Sequence, residues 1–206
     1  NIDNTAVLEQ FLAMNLATGM DDFQASFARI QGMPWVNTLV ADRTGRAWYI
    51  DASATPNLSP AAQARFRVRV EDDLIAALLY ENRVPLLDGS EPDDDWIDDP
   101  TANRPGVVGH PHLPQVERRD FVANANDSHW LTNPAEPLEG YSAFHGYERT
   151  ARTLRTRQNL RVVQRLADSG GATVEQVLAT VLDNASLSAE LLRDDVVARC
   201  RAVGSF

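Results

Sequence analysis

Arg119-Asp120-Phe121-Val122-Ala123-Asn124-Ala125-Asn126-Asp127-Ser128-His129-Trp130-Leu131-Thr132-Asn133-Pro134 is the stretch on which the reading of this chain turns. Its first five residues read as a short buried strand. Two asparagines two residues apart at the end of a strand point to the same face. A carboxamide held there is a fixed, neutral hydrogen-bond donor. Chemistry that cleaves an amide needs such a donor where the carbonyl oxygen turns into an oxyanion. The remainder of the chain offers no obvious nucleophile to go with it. Structurally, Asn124 or Asn126 could equally cap a turn.

Composition narrows the classes. The chain has 206 residues, 44% hydrophobic and 23% charged, as in a globular protein with one substantial core or part of a larger one. No apolar run approaches the ~18 to 20 residues of a membrane helix. No signal peptide opens the chain and its first residue is not Met, the expectation for a processed segment. A net charge of −10 opposes phosphate binding and hence a nucleic-acid partner. All 19 basic residues are arginine, which leaves no Lys nucleophile or Schiff base. Cys200, alone, forms no internal disulfide and reads as a buried thiol on a C-terminal helix.

Periodicity gives helices at 6–18 and, capped by Asp21 or Asp22, through Ile30. Trp35 to Ala41 and Arg46 to Ile50 form a hairpin around Asp42-Arg43-Thr44-Gly45. A short helix at 72–80 turns Ile75, Leu78 and Leu79 inward. The span 82–117 is irregular and rich in Pro, Gly and Asp, as in a binding loop, lid or long crossing segment. Its acidic run, 91–99, lacks the alternating spacing and Gly of a calcium loop. Helices follow at 147–167, 173–183 (with Thr173, Glu175 and Gln176 as cap) and 189–202. The order of elements is α+β, with strands that pair partly with something outside the chain.

Other polar groups carry weaker signals. His110-Pro111-His112 has no further His or Cys near enough for a zinc site. His129 and His145 are single histidines without a legible partner. Gly106-Val107-Val108-Gly109 has neither the Lys nor the length of a phosphate loop.

The quoted stretch resembles the penicillin acylase family of N-terminal nucleophile hydrolases, most of all its acyl-homoserine-lactone and aculeacin-type acylase branch. Gly32-Met33-Pro34-Trp35-Val36-Asn37-Thr38-Leu39-Val40-Ala41-Asp42, Leu86-Leu87-Asp88-Gly89-Ser90 with Trp96, and Leu154-Arg155-Thr156-Arg157 resemble further blocks of that branch in the same order. The resemblance implies an αββα four-layer sandwich of which residues 1–206 are an interior piece of the large chain. It implies a precursor that cleaves itself, and a catalytic Ser at the start of the larger chain, upstream of this piece. Asn126 would be the side-chain oxyanion donor and Asn124 its support. Arg157 matches the arginine that orients the site, with Arg155 the alternative. Trp35 and Trp130 would line the acyl pocket or pack in the core. No cofactor or metal is expected. The expected partners are the other chains of the precursor and an N-acylated small molecule: an acyl-homoserine lactone first, a penicillin or lipopeptide second. The expected location is periplasmic or extracellular. A non-catalytic chain that binds acylated ligands or supports a partner is the reading from another class.

Overall fold

The structure is a computed structural model that describes residues 4–204. Its sheet grows from one tight turn. The Asp42 carboxylate accepts the backbone N–H of Thr44 at 2.8 Å and of Arg46 at 3.1 Å, and Gly45 takes φ +83°. That turn joins β1 (Asn37–Ala41) to β2 (Ala47–Asp51), antiparallel with Leu39 opposite Tyr49. β3 (Gln115–Arg118) pairs with the far edge of β2, Tyr49 opposite Val116, so the order is β1-β2-β3. Among the described residues the outer edges of β1 and β3 take no further strand.

β2 is buried on both faces, and its alternation distributes the cores. Trp48 and Ile50 face α2 (Met20–Ile30), where Phe27, Met20, Met33, Val108 and Leu113 complete one cluster. Phe27 meets Trp48 edge-on at 5.3 Å, a geometry the ring quadrupoles favour. Tyr49 faces the other way, onto Val116 and Leu138. α1 (Val7–Leu16) lies against α2 through a buried polar link: Gln10 Nε2 donates to Ser26 and Gln10 Oε1 accepts from Gly32 N–H. Gly32 is required by close approach, since a Cβ there would lie 2.4 Å from the Ala6 carbonyl oxygen.

α3 (Pro60–Asp72) and α4 (Leu74–Glu81) complete this unit. Ser59 caps α3 and Pro60 supplies its first residue, the position proline suits. Phe66 of α3 packs on Tyr80 at 5.3 Å and Phe144 at 4.7 Å. The expected inward face of α4 is corrected: Ile75 and Leu78 are exposed and only Ala76 is buried. α2 is also preceded by Gly19 rather than capped by aspartate; Asp21 and Asp22 lie in its first turn, where they suit the helix dipole.

The chain divides into two compact units, 1–122 with 128–148 and 123–127 with 149–206. The second holds α5 (Leu154–Asp168), α6 (Val174–Leu182) and α7 (Leu187–Val203). Thr173 and Gln176 form the reciprocal capping box their spacing suggests. Arg161 of α5 pairs with Glu190 of α7 at 2.9 Å. Cys200 is exposed, not buried. Mixed helix with a small antiparallel sheet is the α+β class the sequence indicates. No helix among the described residues is long and apolar enough to cross a membrane.

Candidate functional site

The strand before the asparagines sits earlier than the sequence suggests. β3 ends at Arg118, and residues 119–123 leave the sheet. Asp120 causes the departure. Its carboxylate takes Arg118 Nε at 2.9 Å, Phe121 N–H at 2.8 Å and Asn133 Nδ2 at 3.2 Å. The Arg118 hydrogen bond, foremost, holds this carboxyl well below the usual carboxylate range. A chain gathered around one side chain cannot also run on as a ladder. Asn133, fully buried, is structural: it also donates to the Phe121 carbonyl and accepts from Ala135 N–H.

The two asparagines therefore differ by conformation rather than by strand alternation. Asn124 closes a turn on itself, donating to the Asp127 carbonyl at 3.0 Å and accepting Asp127 N–H at 3.2 Å. Asn126 stands at the tip with φ +59°, a left-handed conformation that Asn tolerates better than most residues. Its side chain is exposed, and its Oδ1 accepts from Arg155 Nη1 at 3.0 Å.

That contact settles which way the carboxamide faces. A guanidinium has only donors, so Oδ1 must turn to Arg155 and Nδ2 must turn away. Nδ2 has no partner among the described residues. It is a donor oriented by a cation and open to a ligand.

Arg155 is placed by the start of α5. Thr153 caps that helix through Thr156 N–H at 3.1 Å. The buried Thr156 hydroxyl donates to Asp127 Oδ2 at 2.7 Å, tying the helix to the asparagine turn. A cation in a first helical turn opposes the helix dipole, so Arg155 sits there at an electrostatic cost that its contact with Asn126 offsets. Arg157 was the first match from sequence, and the structure does not place it at Asn126. Two residues along a helix is about 200° around it. Arg157 is exposed and makes no side-chain hydrogen bond among the described residues.

The two tryptophans belong to the other unit. Trp35 is 75% exposed, which excludes a core role for it among the described residues. Trp130 is half-buried, and its indole N–H donates to Glu139 at 2.9 Å. Among the described residues no three His, Cys, Asp or Glu are grouped to hold a metal ion. His112 Nδ1 pairs with Asp99 at 2.8 Å, not with His110.

Sequence reasoning missed a ring cluster. His129, fully buried, lies edge-on to Tyr141 at 5.2 Å and 6.3 Å from His145. His145 Nδ1 is bonded to the buried Thr55 hydroxyl at 3.0 Å, and its Nε2 is shut from solvent with no partner. Burial, with His129 beside it, pulls the His145 pKa down to about 3. Burial lowers His129 too, offset in part by Glu148 and Asp51.

The sign follows from linkage. An unfolded histidine titrates near ~6.5, so between pH 6.5 and about 3 the unfolded chain binds the extra proton. Stability is complete above that window and lost as pH falls through it. From pH 7 to pH 5 His145 should cost about 2 kcal/mol. Glu117, held down to about 2 by Arg46 and Gln24 in the folded chain, adds only a small share above pH 5, because an unfolded glutamate takes up most of its proton below that. Urea unfolding of the whole protein at the two pH values should show at least this loss, with His129 and His110, both also lowered by burial, adding to it, and His145→Asn should remove the His145 share of about 2 kcal/mol. Equal losses in both proteins would refute the assignment.

Residues 1–204 match the family model described as penicillin amidase, and the chain belongs to that family. It is similar to aculeacin-A acylase of Actinoplanes utahensis, 39% identical over 207 residues, 98% of this chain and 26% of that protein. It is also similar to acyl-homoserine lactone acylase PvdQ of Pseudomonas fluorescens (strain Pf0-1), 37% identical over 200 residues, 97% of this chain and 25% of that protein. The Pseudomonas putida PvdQ (strain KT2440) is 32% identical over 205 residues, all of this chain and 25% of that protein. The chain thus spans about a quarter of the length of these relatives.

Proposed function

We propose that this chain is an interior part of the large chain of a self-processed N-acyl amide hydrolase. One observation carries the reading: Arg155 holds Asn126 Oδ1 and leaves Nδ2 as an oriented, open donor. In this reading an N-terminal Ser, upstream of residue 1, attacks the amide carbonyl through Oγ while its own α-amino group takes the proton. The carbonyl oxygen becomes an oxyanion, and Asn126 Nδ2 with a backbone N–H outside this piece stabilises it. The C–N bond then breaks, the amine departs with the proton, and water hydrolyses the acyl ester. Arg155 orients; it transfers no proton.

The β1–β3 sheet contributes to one sheet of an αββα sandwich, and its open edges pair with strands from the rest of the protein. The exposed apolar residues of α1 and α6, such as Leu8, Leu12, Val174 and Val181, support a covering by those other parts. Trp35 and Trp130 face the acyl group. The mature protein works in the periplasm or outside the cell.

The first substrate is an N-acyl-homoserine lactone, since relatives named for that activity match nearly the whole chain. The test uses the whole protein and compares release of homoserine lactone from short and long acyl chains with turnover of a penicillin and an acylated lipopeptide. The expected result is a kcat/KM for at least one acyl-homoserine lactone about tenfold or more above that for penicillin. Preference for penicillin or lipopeptide would overturn the substrate. No amide turnover with the Ser-led chain intact would overturn the hydrolase in favour of a binding or supporting chain.

A further inference from the structure

Arg155 is a cation without an anion. Arg161 and Arg193, in the same compact unit, pair with Glu190 and Asp194 at 2.9 Å each. Arg155 makes no ion pair among the described residues, although a carboxylate follows Asn126 directly in the chain. That carboxylate, Asp127, takes the buried Thr156 hydroxyl at 2.7 Å on Oδ2. Arg155 Nη1 goes to Asn126 Oδ1 at 3.0 Å, and its Nε and Nη2 have no partner among the described residues. The side chain is exposed, so those donors meet solvent.

Their reach follows from the contact that anchors them. Nη1, 3.0 Å from Oδ1, lies within about 5 Å of Nδ2 on the same carboxamide. The inference rests on the reading of Asn126 given above, in which the substrate's amide oxygen sits about 3 Å from Nδ2. The next polar group of such a substrate on the amine side is the carbonyl on the carbon that bears the amide nitrogen. In an acyl-homoserine lactone this is the lactone carbonyl, in a penicillin the β-lactam carbonyl, and in a lipopeptide the first peptide carbonyl. A planar fork of N–H donors suits a carbonyl oxygen, and it suits a carboxylate better, since it can bind both oxygens at once.

We propose that Arg155 is a specificity-determining residue: its Nε and Nη2 receive the carbonyl or carboxylate beside the leaving nitrogen. The substrate class is then N-acylated α-amino acids and their derivatives, and the ring-opened acid N-acyl-homoserine is cleaved as the lactone is. Water adds across the amide C–N bond: the acyl carbon takes the hydroxyl, the nitrogen takes the proton, and homoserine leaves with its carboxylate intact. The guanidinium offsets the repulsion between that carboxylate and the oxyanion.

The experiment measures kcat/KM of the purified whole protein on N-decanoyl-homoserine lactone, on N-decanoyl-homoserine, and on N-decanoyl-cyclopentylamine, which keeps a ring and lacks the carbonyl. In the wild type the acid should lie within about tenfold of the lactone, and the cyclopentylamide about tenfold or more below it. Leaving amines differ in basicity, so the deciding quantity is the loss each substrate suffers on Arg155→Ala. The acid should lose about tenfold more than the lactone, and the cyclopentylamide about tenfold less, because only the orientation of Asn126 acts on it. Arg155→Lys, which keeps the charge, should restore the acid more than the lactone. Equal losses on all the substrates, or a wild-type acid more than about tenfold poorer than the lactone, overturn the specificity role. Unchanged turnover of the lactone in Asn126→Gly would instead overturn the oxyanion reading.

Discussion

On the proposed function, Asn126→Ala in the whole protein is expected to lower kcat about 10²–10³-fold, or ~3–4 kcal/mol of transition-state stabilisation, with KM little changed. The effect falls on kcat because the oxygen carries its charge only in the transition state. One confounding cost is known in advance. Alanine at φ +59° strains the backbone, by about 1 kcal/mol. Asn126→Gly separates the two, since it relieves the strain and still lacks the donor. Both variants should fall to similar turnover and differ in stability. Wild-type turnover in the glycine variant would remove Asn126 from the oxyanion hole.

Arg155→Ala should be the next most damaging substitution. A hydrogen bond from a charged donor contributes ~1.5–3 kcal/mol, so kcat should fall about ten- to a hundredfold. Without the guanidinium the carboxamide has no reason to keep Oδ1 on one side and Nδ2 on the other. Arg155→Lys should restore part of the loss, because an ammonium supplies the charge without the planar fork. Arg157→Ala should stay within about twofold of the parent. Steady-state kinetics on the pair discriminates directly: equal losses, or a larger loss for Arg157, would reverse the assignment.

The contrast between these arginines shows where the sequence stopped being informative. Two arginines flank Thr156, and the spacing from Asn126 admitted either. The choice depends on where α5 begins. A helix read as starting at Tyr147 hides the Thr153 cap, and the cap makes Arg155 a first-turn residue. The link that completes the site, Thr156 to Asp127, joins residues 29 positions apart, which no local pattern encodes.

Local chemistry was legible where it acted alone. The hairpin follows from Asp42 and Gly45, and the α6 cap from Thr173 and Gln176. α3 is not among the expected helices: Ser59-Pro60 is a helix start, but the Phe-Arg-Val-Arg-Val alternation of 66–70 masks the helical period behind it. The displaced strand has another cause. Phe121-Val122-Ala123 is more apolar than Gln115-Val116-Glu117-Arg118, yet the polar run pairs with β2. Asp120, binding its own neighbours, ends the ladder before the apolar run arrives. Apolar helix faces usually turn inward, which is the expectation for Ile75 and Leu78; here both are exposed.

The backbone at Asn126 also bears on how this position can change over generations. Two filters act on it independently: a left-handed φ and the proposed need for a neutral side-chain N–H. Glycine passes the first and fails the second. Glutamine carries the carboxamide but not the short side chain that tolerates the turn. The residues one nucleotide away from an asparagine codon (Asp, His, Ser, Thr, Lys, Ile and Tyr) include no second carboxamide. Aspartate, the one that best keeps the turn, would set an anion against the developing oxyanion. Histidine is the one single-nucleotide neighbour that offers a neutral side-chain N–H and also tolerates a positive φ, so it is the substitution through which position 126 can change with least loss.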